Sequence, residues 1–194
     1  MSWEIYFYDT FNPTINIPSF TLKYKITDQT NLQFVSSAVI GQRASVIYDK
    51  PATIKDTINL ALGQYNNRQV DIDRFNSYTQ ELRLMHNYKL AGINNHIIAG
   101  VQLMNNDLHR TQLGKGTAGF DYDLTLIDPV WGRDMHFKTN NLALFAENSF
   151  SLSSKLSLNL GARFESGESQ MDGNIIYYPE NEIPVSIKRK FPLF

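Results

Sequence analysis

The sequence predicts an all-β fold: an antiparallel, up-and-down segment of a transmembrane β-barrel, with about six or seven strands, short periplasmic turns and long extracellular loops. Three observations predict it. Side-chain polarity alternates with a period of two over several segments, a division that helical spacing cannot produce. Short and long connections alternate along the chain. Aromatic residues are plentiful, with 10 Tyr, 12 Phe and 2 Trp, which suits the aromatic girdles of a barrel wall.

The segments follow in order. Residues 20–27 (FTLKYKIT) alternate Phe20, Leu22, Tyr24 and Ile26 against Thr21, Lys23, Lys25 and Thr27, and a turn is expected at 28–30. Residues 31–40 then place Leu32, Phe34, Ala38 and Ile40 on one face, with Ser36 weaker. Residues 78–88 (YTQELRLMHNY) set Leu82, Leu84 and Tyr88 opposite Glu81, Arg83 and Asn87. A turn at 91–95 carries Gly and Asn-Asn, and residues 97–103 alternate Ile97, Ala99, Val101 and Leu103 against Ile98, Gly100 and Gln102. Residues 142–152 (LALFAENSFSL) and 156–165 (LSLNLGARFE) form the clearest hairpin, closed by a tight turn at 153–155. The long polar connections are expected at 44–74, 105–137 and 166–190. Soluble sheets keep most loops short, so this asymmetry favours the membrane reading over a soluble sandwich.

Composition narrows the function. Lys plus Arg is 18 and Asp plus Glu is 19, a net charge of −1, so the basic excess of a nucleic-acid binder is missing and no nucleic-acid partner is expected. There is no Cys, which excludes disulfides, Cys-based zinc sites and a Cys nucleophile. The N-terminus, MSWEIYFYDT, has neither the basic nor the apolar region of a signal peptide. No apolar run is long enough for a transmembrane helix, but membrane strands need only about 9–11 residues and hide in a hydropathy average. The chain reads as cut at both ends, opening mid-strand at residues 2–8 and stopping at KRKFPLF, which reads as the start of a further strand.

Several phrases carry a family resemblance. TNNLALFAENSFSLSSKLSLNLGARFE (139–165) resembles the barrel hairpin of TonB-dependent receptors, in which a strand ending F-A-E is followed by a turn and a strand ending G-x-R-x-E/D. GKGTAGFDYDLTL (114–126), Trp131–Gly132, YTQELRL (78–84), YNNRQVD (65–71) and the terminal RKFPLF resemble the ferric-siderophore branch similar to the iron(III) dicitrate transporter. The resemblance covers about residue 20 to residue 194. It implies a cell outer membrane location and a barrel of about 22 strands surrounding a plug domain. It further implies TonB-dependent import of a ferric siderophore, ferric citrate being one such ligand, without covalent chemistry or a catalytic residue. The implied partners are the siderophore, outer-membrane lipid and the TonB complex, the last through an N-terminal region missing here. No cofactor is bound covalently; the ferric chelate is cargo. The plug and the other strands are also missing, so this stretch alone is not expected to transport. The alternatives are import of haem, cobalamin or a glycan, a porin, and a soluble all-β carbohydrate-binding or enzyme domain.

Candidate residues follow from this frame. Arg43, Arg68, Arg74, Arg110, Lys115 and Arg133 fall on the expected extracellular connections. Ferric citrate and many ferric siderophores are anionic, and the guanidinium fork matches carboxylates, so Arg43, Arg68, Arg110, Lys115 and Arg133 are candidate ligand contacts. Tyr65, Tyr122 and Trp131 are candidates to pack on the chelate; the plainer reading is that loops are polar. Glu81, Arg83, Glu147, Arg163 and Glu165 are expected to face the lumen as charges that set register or meet the plug. Asp121, Asp123, Asp128 and Asp134 lack the spacing of an EF-hand and read as a solvated loop. Gly114–Lys115–Gly116–Thr117 departs from the phosphate-loop pattern, because Lys115 lies between the glycines and no helix signal follows. His86, His96, His109 and His136 lack metal-ligand spacing, so no metal site is assigned; His109 and His136 flank one long loop and are placed to meet in space.

Overall fold

A computed structural model describes residues 10–51, 53–119, 121–153, 155–179 and 186–191. The expected opening strand at 2–8, Phe120, Ser154 and the terminal 192–194 lie outside the described residues. Eight strands form: β1 (Thr10–Asn16), β2 (Ser19–Lys25), β3 (Thr30–Ile47), β4 (Asn67–Leu90), β5 (Ile93–Ala118), β6 (Arg133–Ser153), β7 (Leu156–Ile175) and β8 (Ser186–Phe191). They make one antiparallel sheet in the order β1-β3-β4-β5-β6-β7-β8, and β2 also pairs with β3. β1 runs along residues 40–46 of β3 and β2 along 31–37, so the two act as one strand interrupted at Ile17–Pro18. Proline has no N–H to offer a ladder, and an edge is where a sheet tolerates it. Among the described residues the sheet is open and no helix forms.

The central strands are long, at 18, 24, 26, 21 and 20 residues for β3 to β7. This corrects the expected connections: 44–74, 105–137 and 166–190 shrink to 48–66, 119–132 and 176–185. Along β5 and β7 the strands continue past the point where hydrophobic alternation stops, because backbone pairing persists while both faces turn polar. The expected turn at 91–95 tightens to Ala91–Gly92, both with positive φ (51° and 79°), while Asn94 and Asn95 belong to β5. That is the two-residue hairpin turn whose twist matches that of the strands.

The register assigns each alternating residue to a face. Phe34, Leu82, Val101, Leu144 and Phe164 form one transverse row, with Leu22 beside Phe34. Leu32, Leu84, Ala99, Ala146 and Ala162 form the next row. These rows belong to an apolar band on one face, in which Leu22, Leu82, Leu84, Leu144 and Phe164 are 40–55% exposed and Leu32, Phe34 and Val101 half-buried. From Leu142 to Leu152 the band runs about 33 Å along β6 at about 3.3 Å per residue. At the usual barrel tilt of about 40° this projects to about 25 Å, the height of an outer-membrane barrel's lipid-facing band. Tyr78 lies near one rim; Tyr88 and Phe150 lie near the other.

Candidate functional site

The opposite face is polar, and two clusters sit on it. The first lies behind the apolar band. Arg83 donates to Glu81, Gln102 Nε2 donates to Glu81 at 3.0 Å, Arg163 Nη2 donates to Gln102 at 2.8 Å, and Arg163 also donates to Glu165. Asn141 Nδ2 reaches Glu165 at 3.0 Å. Phe145 lies between the two cations, with the Arg83 and Arg163 guanidinium carbons each 5.8 Å from its ring centroid. The ring lies over Gly100, where an added Cβ would come within 2.5 Å of the ring and 2.7 Å of the Leu82 carbonyl oxygen. Glu147 is on this face one row away, opposite Gly161, and stays exposed. The Arg163 guanidinium goes to Glu165 and Gln102 rather than to Glu147.

The second cluster lies toward the long connections. Asp73 is buried, at 3% exposure, and takes two guanidinium groups. Arg43 donates from Nε at 2.8 Å and Nη2 at 2.6 Å, and Arg110 from Nε at 2.9 Å and Nη2 at 3.2 Å. The three residues are in register across β3, β4 and β5. Arg43 also lies 5.7 Å from the Phe75 ring centroid. In the next row Asp71 accepts from Gln69 Nε2 and from the Leu113 amide at 2.8 Å. Arg133 donates to Gln112 at 2.8 Å and to the Tyr177 hydroxyl. Arg43, Arg110, Arg133 and exposed Lys115 thus set four cations against Asp71 and Asp73, an excess suited to an anion.

The remaining candidates divide differently. Arg43, Arg68, Arg74, Arg110, Lys115 and Arg133 lie on strands, which corrects their expected place in loops. Arg68 is 3% exposed and binds Asp56 at 2.6 Å and the Gly119 carbonyl at 2.6 Å, clamping connections 48–66 and 119–132. Trp131 packs with Leu124 and Leu126 over Ala44, Val70 and Ile72, on the face that carries the apolar band. Gly114 makes room for it, since a Cβ there would sit 2.5 Å from the indole. Trp131 therefore serves a small core rather than the polar face. Tyr122 is exposed in connection 119–132, and Tyr65 lies in connection 48–66.

The acidic loop residues are used locally. Hydrogen bonding from the Thr125 side chain, then from the Thr125 amide at 2.9 Å and from Thr117 Oγ1 at 3.0 Å, holds the Asp123 carboxyl below its ordinary value. Asp128 accepts from the Val130 amide, and Asp134 meets His109. Among the described residues no three ligating side chains gather to hold a metal ion. Gly114–Thr117 lies inside β5, and among the described residues no helix follows it to complete a phosphate loop.

The polar-face clusters were missed as clusters by sequence reasoning, because Arg43, Asp73 and Arg110 are separated by 30 and 37 residues. No protein-family model matches the chain, and no curated protein matches it.

Proposed function

We propose that this chain forms part of the wall of an outer-membrane β-barrel importing an anionic ferric chelate, ferric citrate among them, in a TonB-dependent step. One observation carries the membrane part: an apolar sheet face about 25 Å high, with no second layer over it among the described residues, backed by a charged face. Its exposed apolar side chains run together from β2 to β7, whereas soluble monomers usually expose apolar patches of only about a few hundred Å². A soluble sheet would bury that face against another layer.

The ligand part rests on Arg43, Arg110, Lys115 and Arg133, which give the polar face a cationic patch near the long connections. Two guanidiniums held on one buried carboxylate keep a net positive charge in fixed orientation, as carboxylate recognition requires. Coupling to TonB rests on sequence resemblance alone.

The test uses outer membranes carrying the intact protein and radiolabelled ferric citrate. Saturable binding should fall about tenfold in Arg43→Gln and in Arg110→Gln, the loss of about one charge-assisted hydrogen bond. Each variant leaves Asp73 with one guanidinium, so folding survives. Haem, cobalamin or glycan binding in place of ferric citrate would move the ligand assignment and keep the barrel. Recovery of the protein wholly in the aqueous fraction would refute both.

A further inference from the structure

The sequence repeats Asp-x-His: Asp107–Leu108–His109 on β5 and Asp134–Met135–His136 on β6. Antiparallel pairing sets His109 directly opposite His136, so the two motifs are related by the local two-fold axis between these strands. Each histidine reaches diagonally to the other strand's aspartate: His109 Nε2 lies 2.7 Å from Asp134 Oδ1, and His136 Nε2 lies 2.6 Å from Asp107 Oδ1. A carboxylate accepts and does not donate, so each neutral ring carries its proton on Nε2 and its lone pair on Nδ1. Among the described residues neither Nδ1 takes part in a hydrogen bond. Both rings are more than a third exposed.

We propose that His109 and His136 form a two-histidine chelate for a borderline divalent transition-metal ion, Cu²⁺ most tightly, then Ni²⁺ and Zn²⁺. The ring centroids are 5.3 Å apart. Two imidazoles sharing a tetrahedral ion place their centroids about 5 Å apart, given about 2.0–2.1 Å from metal to nitrogen and about 1.1 Å from nitrogen to centroid. The spacing matches a tetrahedral pair, while a tetragonal ion with cis imidazoles, as Cu²⁺ prefers, needs centroids about 4.5 Å apart, so for Cu²⁺ the rings close by about 0.8 Å through side-chain rotation. Asp107 and Asp134 are positioning residues: a ligating histidine that donates its other N–H to a carboxylate has its tautomer and orientation fixed. Two imidazoles favour Cu²⁺ over Ni²⁺ and Zn²⁺, with water completing the shell. The site lies on the face of the apolar band, two rows beyond Tyr78 toward the long connections, between Arg74 and Asp172 in its own row and on the opposite face of the sheet from the Arg43–Asp73–Arg110 cluster. It depends only on β5–β6 pairing and stands whether or not the chain imports a chelate.

The test titrates Cu²⁺ into the refolded full chain in detergent and reads electron paramagnetic resonance. One ion per chain with hyperfine coupling to two equivalent nitrogens is expected. His109→Gln and His136→Gln should each weaken binding at least tenfold and leave one imidazole nitrogen. Asp107→Asn and Asp134→Asn should weaken it by about 10–100-fold with both nitrogens retained. His86→Gln and His96→Gln should change nothing. In the unsubstituted chain, Ni²⁺ should broaden amide NMR signals around 107–111 and 134–138 first, a readout independent of any variant's folding. Broadening centred elsewhere, or two-nitrogen coupling that survives His109→Gln, overturns the proposal.

Discussion

A charge placed in the middle of the apolar band separates a lipid-facing wall from a water-facing one. Leu84 is the residue of choice. It is 40% exposed, lies midway between Tyr78 and Tyr88 on β4, and has Leu32 and Ala99 as its register partners. In a bilayer, arginine at mid-depth of a barrel's outer face costs about 2–4 kcal/mol, falling to about 0–1 kcal/mol near the interface. Leu84→Arg should therefore lower the folding equilibrium constant by about 30-fold to 1,000-fold. Gln80→Arg, on the same face and strand but nearer the rim, should cost about 1 kcal/mol or less. In water both substitutions would fall within about 1 kcal/mol, because the arginine stem covers its neighbours while the guanidinium stays hydrated. The assay is guanidinium-induced unfolding of vesicle-inserted protein followed by tryptophan fluorescence. A depth-dependent difference of about 2 kcal/mol is expected. Equal costs for the two variants, within about 0.5 kcal/mol, would refute the lipid-facing assignment.

Gly100→Val should cost about 1–3 kcal/mol in the same unfolding assay, because its Cβ would strike the Phe145 ring and the Leu82 carbonyl; an unchanged midpoint would mean that the ring does not lie over Gly100. At connection 119–132, the hydrogen bonds that depress the Asp123 carboxyl give stability that is fully present above its unfolded value and is lost as pH falls through its folded value. The protection factor of the Thr125 amide, its exchange rate relative to the unfolded chain at the same pH, should therefore fall on acidification through the carboxylate range, and Asp123→Asn should remove that pH dependence. The same loss of protection in the Asn variant would assign it to another group.

The parts of the fold legible in the sequence are those where one face is apolar. Residues 142–152 and 156–165 alternate cleanly because one set of side chains forms the band and the other meets the polar network. In β5 the hydrophobic alternation ends at Leu103, yet pairing runs on to Ala118. From Asn105 onward both faces are polar, with Asp107 and His109 on one and Arg110 and Gln112 on the other, so periodicity carries no signal. β1 was hidden by Pro13, a residue a ladder accepts at an edge. The direction of Arg68 and Trp131 was beyond sequence reasoning. Near Leu113, whose φ is 59°, the register of β5 against β4 shifts between the Val70 and Ile72 pairings, and Gly114 and Gly116 come to face Val70 and Trp131. The candidate basic residues were found by charge, but their grouping around Asp73 needed the register. The Asp-x-His repeat was visible in the sequence; its two-fold pairing was not.

The most direct measurement of the central claim is a single-cysteine spin-label scan along β6 from Leu142 to Phe150 in vesicle-inserted protein. The chain has no native cysteine to mask, so each label reports one site. A barrel wall gives a period of two: labels at 142, 144, 146, 148 and 150 meet lipid-dissolved oxygen, and labels at 143, 145, 147 and 149 do not. Uniform access to a water-soluble relaxation agent at the even positions would contradict a membrane-spanning wall and leave the apolar face to another protein layer.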